Sequence, residues 1–162
     1  MSHRCAGILS FAGFVLCCGS AFAQGTPRAY GPSIGVDNAK KVAAVALGEA
    51  KKNGWYMAIA VVDTSGTLVY YEKMDNTQTG SANVAIEKAR TAALFKRPSK
   101  VFQDAVSGGA GGLRVLGLPG AIPIEGGIPL VSDDKIVGAI GVSGDSSDHD
   151  AMCAQAAVDS LK

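Results

Sequence analysis

Two stretches of the chain each contain two runs of strand-forming residues around a short turn. The first, "WYMAIAVVDTSGTLVYYEKMD" at residues 55–75, has β-branched and aromatic residues on both sides of "TSG". The second, at residues 126–144, places "GGIPLVS" and "IVGAIGVSG" around "DDK". Both patterns predict a β-hairpin, and the mostly apolar return run of the second predicts a deeply buried strand.

Helical patterns flank and separate these hairpins. We expect a helix from Asp37, whose carboxylate would cap the first turn, to Gly54. The Ala-rich residues 81–97 predict a second helix, residues 99–106 a short third one, and "SSDHDAMCAQAAVDSL" a last one. This order predicts a single α/β (α+β) domain, with an antiparallel sheet of about five strands from two hairpins, flanked by helices.

The first 23 residues predict a cleaved signal peptide. They have a short basic start, an apolar run from Ile8 to Leu16 and a small-x-small end at residues 21–23. The run is too short for a permanent anchor, which needs roughly 20 apolar residues. Cys17 and Cys18 suggest a lipoprotein instead, but the residues before them lack the small residue that such processing prefers. We expect a periplasmic or secreted protein without a membrane anchor after cleavage, a flexible tail at residues 24–36 and a folded domain at residues 37–162.

The charge balance and the cysteine content of the cleaved chain limit the partners and the disulfide bonds that we expect. Loss of Arg4 reduces the basic residues from 15 to 14, against 14 acidic ones. This balance provides no basic face, so we expect no nucleic-acid partner. Cleavage also leaves Cys153 as the one cysteine, so no intrachain disulfide can form. We interpret Cys153 as a small buried hydrophobe rather than as a reactive or ligating thiol.

Two glycine-rich segments invite comparison with phosphate-binding loops. "GGAGGLRVLG" at residues 108–117 lacks the Gly-Lys-Ser/Thr ending of a P-loop and the spacing of a dinucleotide fingerprint. It predicts a flexible loop or lid. "GAIGVSG" also lacks both of these motifs. We interpret its Gly138 and Gly141 as small residues of a tightly packed strand.

The acidic cluster "DSSDHD" contains His149, the one histidine left after cleavage. Ser147 and Asp150 have the spacing of a capping box, which would explain part of the cluster as a helix start. His149 is then either a solvated residue of the first turn or, with Cys153 four residues on, half of a metal or haem-iron ligand pair. Nearby serines suggest a hydrolase, but no "GxSxG" motif is present.

Charged residues elsewhere are candidates for ligand recognition. Lys88 and Arg90, in "EKAR", would present cations to a carboxylate or a haem propionate, or would simply form a solvated helix face. Glu125, directly before Gly126 and Gly127, would line a cleft or only solubilise a loop. Three methionines and two tyrosines would ligate or stack on haem, although most of them are interpreted as core or strand residues: Met57, Met74, Met152, Tyr70 and Tyr71.

Four stretches together resemble a known family: "AIAVVDTSGTLVYYEKMD", "AIEKARTAALFKRPS", "LPGAIPIEGGIPL" and "IVGAIGVSGDSSDHDAMCAQAAVD". In this order and spacing they are similar to the GlcG/HbpS-type haem-binding family, related to the C-terminal domain of PduO proteins, over about residues 37–162. The resemblance implies an antiparallel sheet flanked by helices and homo-oligomers. Some members bind haem, and others are known mainly from operons for glycolate or diol metabolism.

The resemblance carries no fixed axial-ligand motif onto this chain. It implies that "EGGIP", "KAR" and "GDSSDHD" gather around a shared pocket, which makes haem a candidate cofactor and His149 a candidate iron ligand. The expected lining residues are Lys88, Arg90, Glu125, Gly126, Gly127, Asp148 and His149.

Three functions are compatible with these residues. The first is an exported binding protein for haem, a related tetrapyrrole or another small anionic ligand. The second is an enzyme acting on a small oxygenated carboxylic acid, with Glu125 or His149 as general base and Arg90 holding the carboxylate. The third is a non-catalytic oligomeric module, such as a sensor accessory.

Overall fold

The two hairpins join into one antiparallel sheet. In this computed structural model, which describes residues 28–161, the strands are β1 (Ala58–Val62), β2 (Leu68–Lys73), β3 (Gly127–Ser132) and β4 (Lys135–Ser143), in the order β2-β1-β4-β3. The predicted single α+β domain is confirmed, with four strands where about five were expected. Of the N-terminal residues that the structure describes, Tyr30 adds one parallel bridge, to Ile136.

Helices precede, separate and follow the hairpins as predicted. They are α1 (Val36–Asn53), α2 (Ser81–Phe95), α3 (Lys100–Ser107) and α4 (Ser147–Asp159), with a 3-10 helix at Ala110–Gly117. The end of α1 at Gly54, in the left-handed conformation, is confirmed. The predicted cap at Asp37 is wrong, because the N-cap is Gly35 and Asp37 lies within the first turn. The predicted flexible loop over residues 108–117 is also wrong, since most of this segment winds into the 3-10 helix.

The sheet lies between two helical layers. On one face, α1 and α4 pack against alternate residues of the central strands, including Ile59, Val61, Ile140 and Val142. On the other face, alanines of α2 pack against Ala58, Ala60 and Ala139. This alternation follows from the period of two in strand side chains and buries the whole of β1.

Small residues allow α2 to lie very close to the sheet. A Cβ atom at Gly141 would overlap the carbonyl oxygen of Ala85 in α2. Within the sheet, a Cβ atom at Gly138 would overlap the carbonyl oxygen of Val62 in the neighbouring strand β1. The interpretation of Gly138 and Gly141 as close-packed strand residues is therefore confirmed. Close packing here fixes the position of Lys88, one turn along α2 from Ala85.

No helix within residues 28–161 is long and apolar enough to cross a membrane. The predicted signal peptide lies outside the described residues, as do residues 24–27 of the predicted tail. The rest of the predicted tail is described, and the amides of Gly31 and Ile34 donate to carbonyl oxygens of β4.

Candidate functional site

A buried ion pair connects α2 to the first turn of α4. The Nζ atom of Lys88 donates to the carboxylate of Asp150 at 2.6 Å and to the carbonyl oxygen of Val142, in β4, at 3.1 Å. The two side chains are only 1% and 3% exposed. Because an unpaired charge at this depth would be very costly, each partner depends on the other.

Asp150 therefore has a different role from the one predicted. The N-cap of α4 is Ser146, whose Oγ accepts from the amide of His149 at 3.4 Å, so the predicted Ser147–Asp150 capping box is wrong. The second carboxylate oxygen of Asp150 accepts from the amide of Asp145 at 3.3 Å. Asp150 thus holds both the buried lysine and the loop that leads into the helix.

Burial shifts the pKa values of both partners in opposite directions. Desolvation lowers the pKa of Lys88, although the carboxylates of Asp150 and Glu125 oppose this shift. Desolvation likewise raises the pKa of Asp150, against the attraction of Lys88. Both shifts have the same cause, since burial disfavours each charged form.

The Glu125-Gly126-Gly127 segment lies directly over this ion pair. Gly126 has φ +120°, and a Cβ atom there would be 2.9 Å from Nζ of Lys88 and 2.8 Å from the carbonyl oxygen of Val142. A Cβ atom at Gly127 would overlap the carbonyl group of Lys88. Side chains are excluded at both positions, so the glycine pair has a structural explanation.

Hydrogen bonds from α3 and its N-terminal turn hold the same segment from the other side. The amide of Gly127 donates to Oγ of Ser99 at 2.9 Å, and that hydroxyl donates to the carbonyl oxygen of Ile124 at 2.6 Å. The amide of Glu125 donates to the side-chain oxygen of Gln103 at 2.8 Å. Packing on Lys88 and these hydrogen bonds therefore fix the Glu125–Gly127 segment from both sides. It forms the floor of the cleft described next.

This floor forms one side of a cleft with a volume of about 380 Å³. The size is near the lower end of small-molecule pockets, which span roughly 300–1,000 Å³. The start of α3 forms one wall and one face of α4 forms the other. The lining residues are Pro98, Lys100, Glu125, Gly126, Gly127, Ile128, Asp148, Ala151, Met152 and Gln155.

The cleft has an apolar strip and one cation among its lining residues. Nζ of Lys100 lies 3.2 Å from the carboxylate of Glu125 and 3.1 Å from that of Asp104. Hydrogen bonds to these carboxylates, first Asp104 and then Glu125, raise the pKa of Lys100 and keep it charged. Since the side chain of Glu125 is only 14% exposed, an anionic ligand reaching Lys100 has to compete with a largely buried carboxylate.

The predicted site residues divide between the cleft and its surroundings. Glu125, Gly126, Gly127 and Asp148 line the cleft, whereas Lys88 lies beneath its floor. Arg90 is outside the lining: its guanidinium pairs with Glu87 at 3.1 Å and donates to the carbonyl oxygen of Gly66.

His149 lies on the flank of α4, outside the cleft lining. Its ring stacks on Trp55, with centroids 4.0 Å apart and planes at 13°. Nδ1 is 3.0 Å from the carboxylate of Asp145. Cys153, four residues on, is fully buried, and burial raises the pKa of its thiol to about 12. Within residues 28–161 no group of three or more His, Cys, Asp or Glu side chains is arranged to hold a metal ion.

Five lining residues were not singled out from the sequence: Pro98, Lys100, Ile128, Ala151 and Gln155. A signal for Gln155 was present, because Asp148, Met152 and Gln155 are spaced i, i+4 and i+7 and so share one helix face. Lys100 had no such signal, since it meets Glu125 only through the fold.

Sheet, helical layers and cleft together define a small α+β domain with a preformed ligand-sized groove. The chain belongs to the HbpS-like family: residues 34–159 match the family described as "Haem degrading protein HbpS-like". The resemblance inferred from the sequence is confirmed.

Individual relatives agree with this assignment. Protein GlcG of Escherichia coli K12 is 40% identical over 105 residues, which cover 65% of this chain and 77% of GlcG. The crystal structure of HbpS superposes with a TM-score of 0.74 at 27% identity, covering 82% of this chain and 92% of HbpS. The crystal structure of a PduOC–haem complex superposes with a TM-score of 0.72 at 25% identity, covering 80% of this chain and 96% of the PduOC chain. The family thus includes proteins that bind haem.

Proposed function

We propose that this protein is an exported small-ligand-binding protein, and that its ligand is haem or a related tetrapyrrole bound at the cleft. The observation that supports this most directly is the preformed groove between the Glu125–Gly127 floor and α4, in a family with a haem complex among its structures. A rigid groove keeps the entropic cost of binding low, because few side chains have to be ordered.

The cleft residues fit one edge of a flat, mostly apolar ring. Pro98, Ile128, Ala151 and Met152 offer apolar surface, and Lys100 offers a cation to a propionate. The volume of about 380 Å³ suits partial burial, with the remainder of the ring covered by solvent or by a second copy. Haem would supply an iron centre there, and the chain would supply apolar contact, orientation and one positive charge.

Haem titration of residues 24–162, followed by absorbance, tests this proposal. We expect saturable binding with a shifted Soret band. Lys100→Gln should weaken binding several-fold, whereas Arg90→Gln, which also removes a cation paired with a glutamate, should leave it unchanged. Absence of saturable binding in the parent protein would rule out the haem proposal.

The same samples distinguish binding from turnover. The family description names haem degradation, which favours an enzymatic role as the second candidate function. Incubation of the complex with ascorbate in air should leave the Soret band intact for a binding protein. Progressive loss of the band, faster than for free haem, would instead identify an enzyme.

Localisation and assembly belong to the same proposal. We expect the chain to be exported and cleaved after residue 23, which mass spectrometry of the periplasmic fraction tests. We also expect a homo-oligomer, in line with exposed leucines at Leu113, Leu116 and Leu118. Light scattering at micromolar concentration would show a monomer if this expectation is wrong.

A further inference from the structure

The face of α4 that borders the cleft carries one exposed sulfur atom. Asp148, Ala151, Met152 and Gln155 lie on this face, and Met152 is 51% exposed. The adjacent Cys153 is fully buried in the core, so the two sulfur atoms of the helix lie in different environments. Met152 is therefore not a core residue, and its thioether is available to a ligand in the groove.

The other polar groups that line the cleft are poor ligands for haem iron. Proteins hold haem iron mainly through His, Cys, Met or Tyr. Among the ten described lining residues, Met152 is the one of these four types. The amine of Lys100 is kept protonated by Asp104 and Glu125 and so has no lone pair to donate.

The histidine nearest in sequence is held elsewhere. The ring of His149 is fixed by the stack on Trp55 and the contact with Asp145, and it does not line the cleft. For it to bind iron in the groove, both contacts would have to break.

We propose that, with haem in this cleft, the thioether of Met152 would be the protein group that binds its iron. The inference rests on the proposed haem-binding function and adds the ligating atom. Thioether ligation favours ferrous iron and raises the reduction potential of haem. Met152 would therefore stabilise the reduced complex over the oxidised one.

Three variants of the 24–162 chain test the inference: Met152→Leu, Met152→His and His149→Ala. Leucine has a similar volume and keeps the apolar contact, and residue 152 is half-exposed, so the fold should be retained. We measure haem affinity, absorbance spectra of both oxidation states and the midpoint potential by spectroelectrochemistry, with circular dichroism as the check on folding.

Met152→Leu should retain saturable binding, alter the spectra and lower the midpoint potential. Met152→His should give a different spectrum, typical of imidazole ligation, and His149→Ala should match the parent. If the parent binds haem and Met152→Leu has the same spectra and potential, the inference is wrong while the haem function stands. A changed spectrum in His149→Ala alone would assign the ligand to His149. If the parent does not bind haem, both the function and the inference fail.

Discussion

The first turn of α4 has a buried side and an exposed side, and adjacent residues meet opposite environments there. Asp150 is 3% exposed and pairs with Lys88 across the domain, while the side chain of His149 is 39% exposed and contacts Trp55 and Asp145. Both belong to the same acidic stretch of sequence. The comparison shows that one charge cluster in the sequence can contain a buried residue that links two elements of the domain, Asp150, and an exposed residue with local contacts, His149.

The buried side should be far more sensitive to substitution. Asp150→Asn removes the ion-pair partner of the buried Lys88 ammonium and should cost about 3–5 kcal/mol of unfolding free energy, measured by urea denaturation. The exposed ion pair of Arg90 with Glu87 provides the control, because Arg90→Gln should cost about 1 kcal/mol or less.

A double variant sharpens this test. Lys88→Met with Asp150→Leu removes both charges and should regain most of the stability that the single change loses, because apolar pairs often replace buried ion pairs without loss. A loss of less than about 1 kcal/mol in Asp150→Asn would contradict the role assigned to the pair.

The glycine floor above the ion pair should be the next most sensitive. Gly126→Ala places a Cβ atom 2.9 Å from Nζ of Lys88 at φ +120°, and should destabilise by about 1–3 kcal/mol. Gly48→Ala is the matched control, since Gly48 lies in α1 with no atom within 4 Å of an added Cβ. That change should stabilise by about 0.5–1 kcal/mol, and equal effects in the two variants would refute the packing argument.

Substitution on the exposed side should change the free energy of unfolding only slightly. His149→Ala removes the stack on Trp55 and should cost only about 0.5–1.5 kcal/mol. Because the chain has a single tryptophan, its emission reports this contact directly. His149→Phe should preserve the stack while removing the contact with Asp145. If His149→Ala is as destabilising as Asp150→Asn, the contrast between the two sides is wrong.

The weakest response of all is expected from the thiol of Cys153 when the native protein meets a thiol reagent. Burial raises the pKa of its thiol to about 12, so almost no thiolate exists at pH 8. A thiol reagent such as iodoacetamide should leave the native 24–162 chain unmodified and react after unfolding in urea, which mass spectrometry detects. Rapid labelling of the native protein would show that the core side of α4 opens readily.

Residue patterns predicted most of the architecture. Two runs of strand formers around "TSG" and "DDK" predicted both hairpins, and Ala-rich periodicity predicted α2, because these signals are local. The errors were also local: Gly35 and Ser146 hold the N-cap positions in place of Asp37 and Ser147. Several side chains in a row can cap a helix, and packing selects among them.

The candidate site was predictable in part. Glu125, Gly126, Gly127 and Asp148 were singled out from sequence and line one cleft. Lys88 was singled out as a ligand contact, and the structure places it under the cleft floor instead. Sequence spacing could not reveal this, because its partner Asp150 is 62 positions away.

The sequence by itself determined the order of elements, the faces that are buried and the family. Hydrophobic period, turn residues and four ordered segments are all readable along one chain. Only the tertiary structure decided which of the charges in "DSSDHD" is buried, why two glycines follow Glu125, and that Met152 faces a groove. These depend on the distance between atoms of α2, β4 and α4, and that distance is set by close packing across the sheet.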